Sequence, residues 1–351
     1  MDSLPVGKLS PAFLQHLLAQ VPANDERVIV GPGVGLDCAV IDLGPTCLVL
    51  KSDPITFASD AIAWYAVQVN ANDIAVFGAE PRWLLATLLL PEGRASELQV
   101  DAMMADLLKA CAPLGISLVG GHTEVTYGLP RPILVCTLVG EVPRQRLVTP
   151  RGAQAGDCLL LTKGVPIEAT AILARDCPAA LKEILSPPEL EMAAHFLQDP
   201  GISVVRDARL AQAAGKVHAM HDPTEGGLLG ALWELAQASG KRLQVDLNSV
   251  PVPELSQRIC SQLGIDPFSA IASGALLLST AASDADLIAR SLESAGIACC
   301  LIGSVCEGKP AVIGMDDRLL LQPLRDELAR WFSSKQLRKI AEGFLGRSRG
   351  G

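Results

Sequence analysis

Aromatic residues make up 4% of this 351-residue chain, so its core has to be aliphatic, filled by Leu, Ala and Val. A surplus of basic charge is also missing. The net charge of −9 argues against nucleic acid or an anionic membrane as the main partner and leaves a small ligand or a protein. No uninterrupted apolar run approaches the roughly 20 residues that a membrane span needs. Met1–Pro5 lacks the basic start of a secretion signal, and the stretch from Phe13 to Val21, broken by Gln15, His16 and Gln20, reads as an amphipathic helix. The ten cysteines include no C-x-x-C pair and stand in apolar contexts such as Val135-Cys136-Thr137, which points to buried, reduced thiols in a cytoplasm and argues against a zinc site.

With 49% hydrophobic and 19% charged residues, the chain is longer than one typical core and has ample apolar surface for two. The patterns alternate. The first half reads strand Cys47–Ser52, helix Ser59–Phe77, strand Trp83–Leu90, helix Ala95–Leu114, strand Ile116–Gly120 and strand Ile133–Val142. A polar stretch bracketed by prolines, Pro143–Gly152, is the best candidate boundary. Beyond it come strand Cys158–Thr162, helices to about Ala214, a strand at Val217, helix Leu228–Ala238, strand Leu243–Leu247, helix Glu254–Leu263, strand Ala275–Thr280, helix Ala285–Ala295, strand Cys299–Val305 and a final helix from Asp326. The expectation is α+β in both halves, with a first domain over 1–142, a second over 153–325 and a carboxy-terminal helix and tail over 326–351.

Four short segments carry the chemistry. Asn70-Ala71-Asn72-Asp73-Ile74-Ala75-Val76-Phe77-Gly78-Ala79-Glu80-Pro81 sets Asn70, Asn72 and Asp73 on an otherwise apolar helical stretch, where polar groups must find partners or a ligand. Ser52-Asp53-Pro54, Gly120-Gly121-His122-Thr123-Glu124 and His221-Asp222-Pro223-Thr224-Glu225-Gly226-Gly227 each follow an apolar run read as a strand. Carboxylates at strand ends suit Mg²⁺, which takes oxygen ligands and keeps waters and phosphates in its shell. The glycines admit backbone N–H groups to an anion, and Gly226-Gly227 stands where a helix would begin. Each piece alone has a plainer reading: Asp53 or Asp73 as a cap or turn residue, Asn70 and Asn72 as partners of buried backbone, His122 as a hydrogen-bonded structural histidine. Lys163, past a strand and before Gly164, is a phosphate contact or a solvent-facing loop lysine.

In combination, S-D-P, N-x-N-D-I-A-x-x-G-A-x-P, G-G-x-T-E and D-P-T-x-G-G resemble the aminoimidazole-ribonucleotide-synthetase superfamily, in the right order from about Gly31 to about Glu307. That superfamily includes thiamine-monophosphate kinase, selenophosphate synthetase and the hydrogenase expression/formation protein E group. His218-Ala219-Met220-His221-Asp222-Pro223-Thr224-Glu225-Gly226-Gly227-Leu228, Leu263-Gly264-Ile265-Asp266-Pro267 and Ser273-Gly274 are most similar to the last of these. The Asp73–Pro81 segment is equally similar to thiamine-monophosphate kinase.

The resemblance implies a two-domain fold whose first domain pairs across a homodimer into a β-barrel, with ATP between the domains. It implies Mg²⁺ held by Asp37, Asp53 and Asp73, with Asp37 ending the loop Val30–Asp37. Asn70, Asn72, Gly120, Gly121, Thr123, Thr224, Gly226 and Gly227 would hold the nucleotide, and Asp73, His122, Glu124 and Asp222 would carry the catalysis. The implied activity is ATP-dependent activation of an oxygen of a small acceptor or an amide, with a small-molecule acceptor or a partner maturation protein as the other party. A small-molecule kinase is the alternative, and a non-catalytic nucleotide-binding partner protein a third reading. Two departures motivate that third reading. His122 stands where relatives show a carboxylate, with Glu124 expected to replace it from the same side of the strand. The chain also closes on Leu345-Gly346-Arg347-Ser348-Arg349-Gly350-Gly351 instead of a cysteine, so tail-borne thiocarboxamide chemistry is not expected, and Cys299, Cys300 and Cys306 are the nearest thiols.

Overall fold

The computed structural model describes residues 9–22, 25–55 and 61–334. They fall into two compact units divided between Pro150 and Arg151. The tail, the Met1–Pro5 segment and the two residues at which the Ser59–Phe77 helix was expected to begin lie outside the described residues.

The first unit contains α1 (Pro11–Leu18), β1 (Val28–Val30), β2 (Ala39–Asp42), β3 (Thr46–Ile55), α2 (Ile62–Val76), β4 (Glu80–Pro91), α3 (Glu97–Cys111), β5 (Ser117–Thr126) and β6 (Ile133–Pro143). Its sheet runs β1-β2-β3-β6-β4-β5, antiparallel except for the β4–β5 pair. Helix α2 is apolar on nearly every side and is buried accordingly. It lies against β3 and β6, so close to Gly140 that a Cβ there would come within 2.3 Å of Ile74. Strand β6 alternates, with Leu134, Cys136, Leu138 and Val142 buried on the helix side and Ile133, Val135, Thr137 and Val139 half-buried on the other.

Two motifs expected at strand ends lie inside strands. Strand β3 runs through Ser52-Asp53-Pro54 to Ile55, because β6 continues beside it as far as Pro54↔Val135 and Ile55↔Leu134. Pairing with β2 stops at Leu50, and a proline is tolerated in a stretch paired on one side. Strand β5 likewise carries on through Gly120-Gly121-His122-Thr123-Glu124 to Thr126, because the long β4 offers it partners up to Pro91. A one-residue bulge at Val119 shifts the register there. At Gly121, φ is +152° and a Cβ would sit 1.9 Å from the Ala86 carbonyl oxygen, so the close approach to β4 requires glycine.

The second unit contains β7 (Asp157–Thr162), α4 (Ile167–Asp176), α5 (Pro187–His195), α6 (Val205–Ala214), β8 (Val217–His221), α7 (Gly227–Ser239), β9 (Arg242–Val245), α8 (Glu254–Leu263), β10 (Leu277–Ala281), α9 (Ala282–Ser294), β11 (Cys299–Cys306) and β12 (Ala311–Gly314). Its sheet order is β12-β9-β11-β7-β10-β8, with β12 and β9 parallel and the other pairs antiparallel. Leu159 and Leu161 of β7 pack with Leu228, Leu232 and Leu235 of α7. Leu160, pointing the other way, is buried on the side where α9 meets the sheet. A strand covered on both faces reads as an unbroken apolar run, as Leu159-Leu160-Leu161 does. The chain is thus a two-domain α+β protein with mixed sheets. The short strands β1, β2 and β12 escape the sequence reading, since three or four residues give little periodicity.

Candidate active site

Strand β3 turns its odd-numbered residues to one face. Cys47 and Val49 are buried there, and Lys51 and Asp53 continue the row towards α2. On α2, Asn70 and Asp73 are three residues apart and share a stripe. The two elements lock together: Asn70 Oδ1 accepts the Asp53 backbone N–H at 3.1 Å, while Asn70 Nδ2 donates to the Ala66 carbonyl at 2.8 Å. Asn70 thus bonds backbone with both ends of its amide, and these bonds fix the position of Asp53. Asn72 is fully buried on another side of the helix.

Beside this lock, Lys51 gathers three carboxylates. Its Nζ lies 3.0 Å from Asp73 Oδ2, 3.1 Å from Asp53 Oδ2 and 3.9 Å from Asp37 Oδ1. Asp37 arrives from the glycine-bearing loop 31–37, and the next residue anchors it, Cys38 Sγ donating to the Asp73 carbonyl at 3.3 Å. The Asp73 side chain is 4% exposed, against 27% for Asp37 and 38% for Asp53, so the cluster has a dry floor and a wet mouth. Burial disfavours the Lys51 ammonium, but Asp73, Asp37 and Asp53 outweigh it and hold the lysine above its ordinary range. Sequence reasoning missed Lys51. The available signal was its place two residues before Asp53, in the same row of one strand.

The donor chemistry of this cluster fits Mg²⁺, since three carboxylates from β3, α2 and the preceding loop converge on one cationic centre. That centre is occupied by the ammonium. Among the described residues no three His, Cys, Asp or Glu side chains are set by themselves to enclose an ion.

The structure separates His122 and Glu124 from this cluster. The pair lies on one side of β5, as alternation requires, with His122 Nε2 and Glu124 Oε2 3.3 Å apart and both side chains exposed. Directly opposed residues of neighbouring strands share a face. Asp53 opposes Cys136, which opposes Ala86, which opposes Gly121. Gly121 and Thr123 therefore belong to the helix-covered face with Asp53, whereas His122 and Glu124 take the other. With β6 and β4 between β3 and β5, the two groups are also about 14 Å apart, at roughly 4.8 Å per strand. Within one chain Glu124 therefore stands apart from Asp37, Asp53 and Asp73.

In the second unit, Asp222 follows β8 and is 1% exposed, and His221 beside it meets Glu234 Oε2 at 2.9 Å. The helix start at Gly226-Gly227 differs from the expected anion site. The Gly226 N–H donates to Asp326 Oδ2 at 2.9 Å and the Gly227 N–H to the Thr224 carbonyl. A carboxylate of the chain itself takes the place foreseen for a phosphate. Gly227 has φ +61°, and a Cβ there would come within 2.6 Å of the Phe268 carbonyl oxygen, so packing alone demands this glycine. Close by, Glu168 of α4 accepts the Ser273 N–H at 3.3 Å. Burial pushes Glu168 up to about 7, and the Glu225 and Asp326 carboxylates add to the rise.

Lys163 is neither solvent-facing nor poised for phosphate: it is buried, bonded to the Ser203 carbonyl and paired with Asp207 at 3.2 Å. His218, Asp157 and Ser279 form a further buried network in which both partners bind Asp157, so serine and histidine are not linked as nucleophile and base. All ten cysteines are free thiols, and burial pushes Cys299 up to about 12 and Cys300 to about 11, far from thiolate reactivity. Among the described residues no helix is long and apolar enough to cross a membrane.

Comparison with known proteins places the chain in a family. Residues 35–142 match the model of the AIR synthase related protein, N-terminal domain, and residues 154–315 that of the AIR synthase related protein, C-terminal domain. The chain is 29% identical over 292 residues to the carbamoyl dehydratase HypE of Cupriavidus necator, covering 82% of this chain and 78% of that protein. To a selenide, water dikinase of Escherichia coli it is 31% identical over 252 residues, 70% of this chain and 68% of the relative. A crystal structure of the hydrogenase maturation protein HypE in complex with ATP has the same fold, with a TM-score of 0.67 over 90% of this chain and 91% of that one at 24% identity.

Proposed function

The chain belongs to the AIR synthase related protein family, and on that premise we propose that it is an ATP- and Mg²⁺-dependent enzyme that activates an oxygen of a small acceptor or of an amide by phosphoryl transfer. The observation that carries this reading is the convergence of Asp37, Asp53 and Asp73 around one point in the first unit. A dehydratase and a dikinase among its relatives, and ATP bound in a structure of the same fold, support a shared ATP-driven step. When bound, the metal would screen the charge of the phosphates and stabilise the leaving group. The residues of this chain would do the rest. Asp73 supplies charge at the dry floor, Asp53 is held in register by Asn70, Asp37 closes the mouth, and Thr123 shares their face of the sheet. Asp222 is the second domain's candidate contact.

In this reading, 1–142 forms the nucleotide, metal and dimerisation domain, 153–325 the second domain, and 326–351 a helix and tail. A homodimer is supported by β5, an edge strand whose outer side has no partner among the described residues, and by the exposed Trp83, Leu85 and Val119 beside and along it. Two such edges would pair into a barrel, and a partner maturation protein or a small molecule would bring the acceptor oxygen. A small-molecule kinase is the second reading, favoured by the likeness to a dikinase.

Calorimetric titration with Mg²⁺ and ATP, followed by ³¹P NMR of ATP with a panel of amide, thiocarboxamide and phosphate-bearing acceptors, tests the proposal. Acceptor-dependent release of ADP or AMP is expected. A folded protein that binds no nucleotide would overturn it.

A further inference from the structure

The cation at the centre of the carboxylate cluster belongs to the protein. Lys51 projects from β3 into the space between Asp73, Asp53 and Asp37, its side chain 11% exposed, with Nζ within 3.0 to 3.9 Å of all three. We propose that Lys51 is a tethered counter-ion that offsets part of the charge of these carboxylates in the metal-free protein and competes with the divalent ion for them, so that the cluster takes Mg²⁺ well only together with a polyphosphate. This rests on the reading of Asp37, Asp53 and Asp73 as the metal-binding cluster.

The physical case is one of charge and space. Three carboxylates gathered from a loop, a strand and a helix repel one another, and with Asp73 almost dry they need a cation close by to stay together. The ammonium meets that need by geometry alone, at hydrogen-bond distance from two of them. A free divalent ion entering the same space would have to part Lys51 from its partners and leave the ammonium beside a second positive centre in a poorly solvated place. A polyphosphate removes that obstacle, because it brings oxygen anions for the displaced ammonium, whose mobile four-carbon stem suits such a transfer. The wet side at Asp37 and Asp53 gives the ligand its way in. Lys51 is thus a positioning residue that makes metal binding depend on the nucleotide.

The test is Mn²⁺ binding, followed by electron paramagnetic resonance, to full-length wild-type and Lys51→Met protein, with and without the non-hydrolysable β,γ-imido analogue of ATP. In wild type the free ion should bind weakly, and in Lys51→Met its affinity should rise roughly 5- to 150-fold, the usual span of a coupling between two ligands. An unchanged or lower affinity of folded Lys51→Met for the free ion, with wild type still binding the ion and nucleotide together, would overturn the role of Lys51 alone. Failure of both proteins to bind the ion even with the nucleotide would overturn the metal-binding cluster and this inference together. Should Lys51→Met not fold, the ¹⁵Nζ resonance of Lys51 in wild type decides. It should shift when Mg²⁺ and the analogue are added together, and an unmoved resonance at saturation would overturn the proposal.

Discussion

The side-chain oxygen of Asn70 accepts the backbone N–H of Asp53 at 3.1 Å, tying the middle of helix α2 to the part of strand β3 that has lost its second strand partner. The bond lies between a fully buried amide and a strand that would otherwise show an open edge at that point. Replacing Asn70 by Ala leaves the Asp53 N–H without this acceptor and removes a donor to Ala66. A loss of about 1–3 kcal/mol is expected, read as a lower urea midpoint, together with a raised Mg²⁺ requirement for ATP turnover. Unaltered stability and metal dependence would show that β3 holds its own course.

Asp73→Asn should abolish Mg²⁺-dependent ATP turnover in a protein that still folds. The substitution keeps the shape but removes the carboxylate nearest Lys51, whose ammonium retains Asp53 at 3.1 Å. A stability loss of about 1–3 kcal/mol is expected from the weakened charge pairing. Full turnover in the folded variant would remove Asp73 from the site.

For Glu124 the face of the strand decides. Because Glu124 points away from the Asp37, Asp53 and Asp73 cluster, Glu124→Gln should leave ion affinity in the presence of nucleotide within about 0.5 kcal/mol of wild type, as expected of well-separated sites. Calorimetry showing a markedly larger loss would return Glu124 to the metal shell, by way of a second copy of the chain.

Glu168 predicts a pH dependence of stability. The folded protein keeps its proton up to about 7, whereas the unfolded chain releases it near 4.5. Between those values the folded state binds more protons, so this residue's contribution to stability falls as pH rises through that window and then levels off. The change is on the order of 3 kcal/mol. Urea midpoints from pH 4.5 to 8 should show it in wild type, and Glu168→Gln should flatten that part of the curve. Parallel curves for the two proteins would contradict it.

The sequence by itself determined most of the elements and marked the polar residues that those elements had to accommodate. Asn70, Asn72 and Asp73 stand out because a helix apolar on all sides cannot bury such groups without partners. Leu159-Leu160-Leu161 announces a strand covered on both faces, and Glu254–Leu263 is a helix by its periodicity. Motif order brought Asp37, Asp53 and Asp73 into one list, and the structure brings them around one atom. That atom belongs to Lys51, which no motif marks, because its significance lies in three contacts made by residues 14 and 2 positions before or after it and by one on a separate helix. Tertiary structure alone decided where the strands end. Partners on β6 and β4 extend β3 and β5 through motifs that local turn signals place outside them. Tertiary structure also decided which face each side chain takes: the single extra residue at Val119 shifts the ladder so that Gly121 and Thr123 share the face of Asp53 while His122 and Glu124 turn away. Alternation along a strand fixes which residues share a side, but the side they share is set by the neighbour to which the strand is bonded.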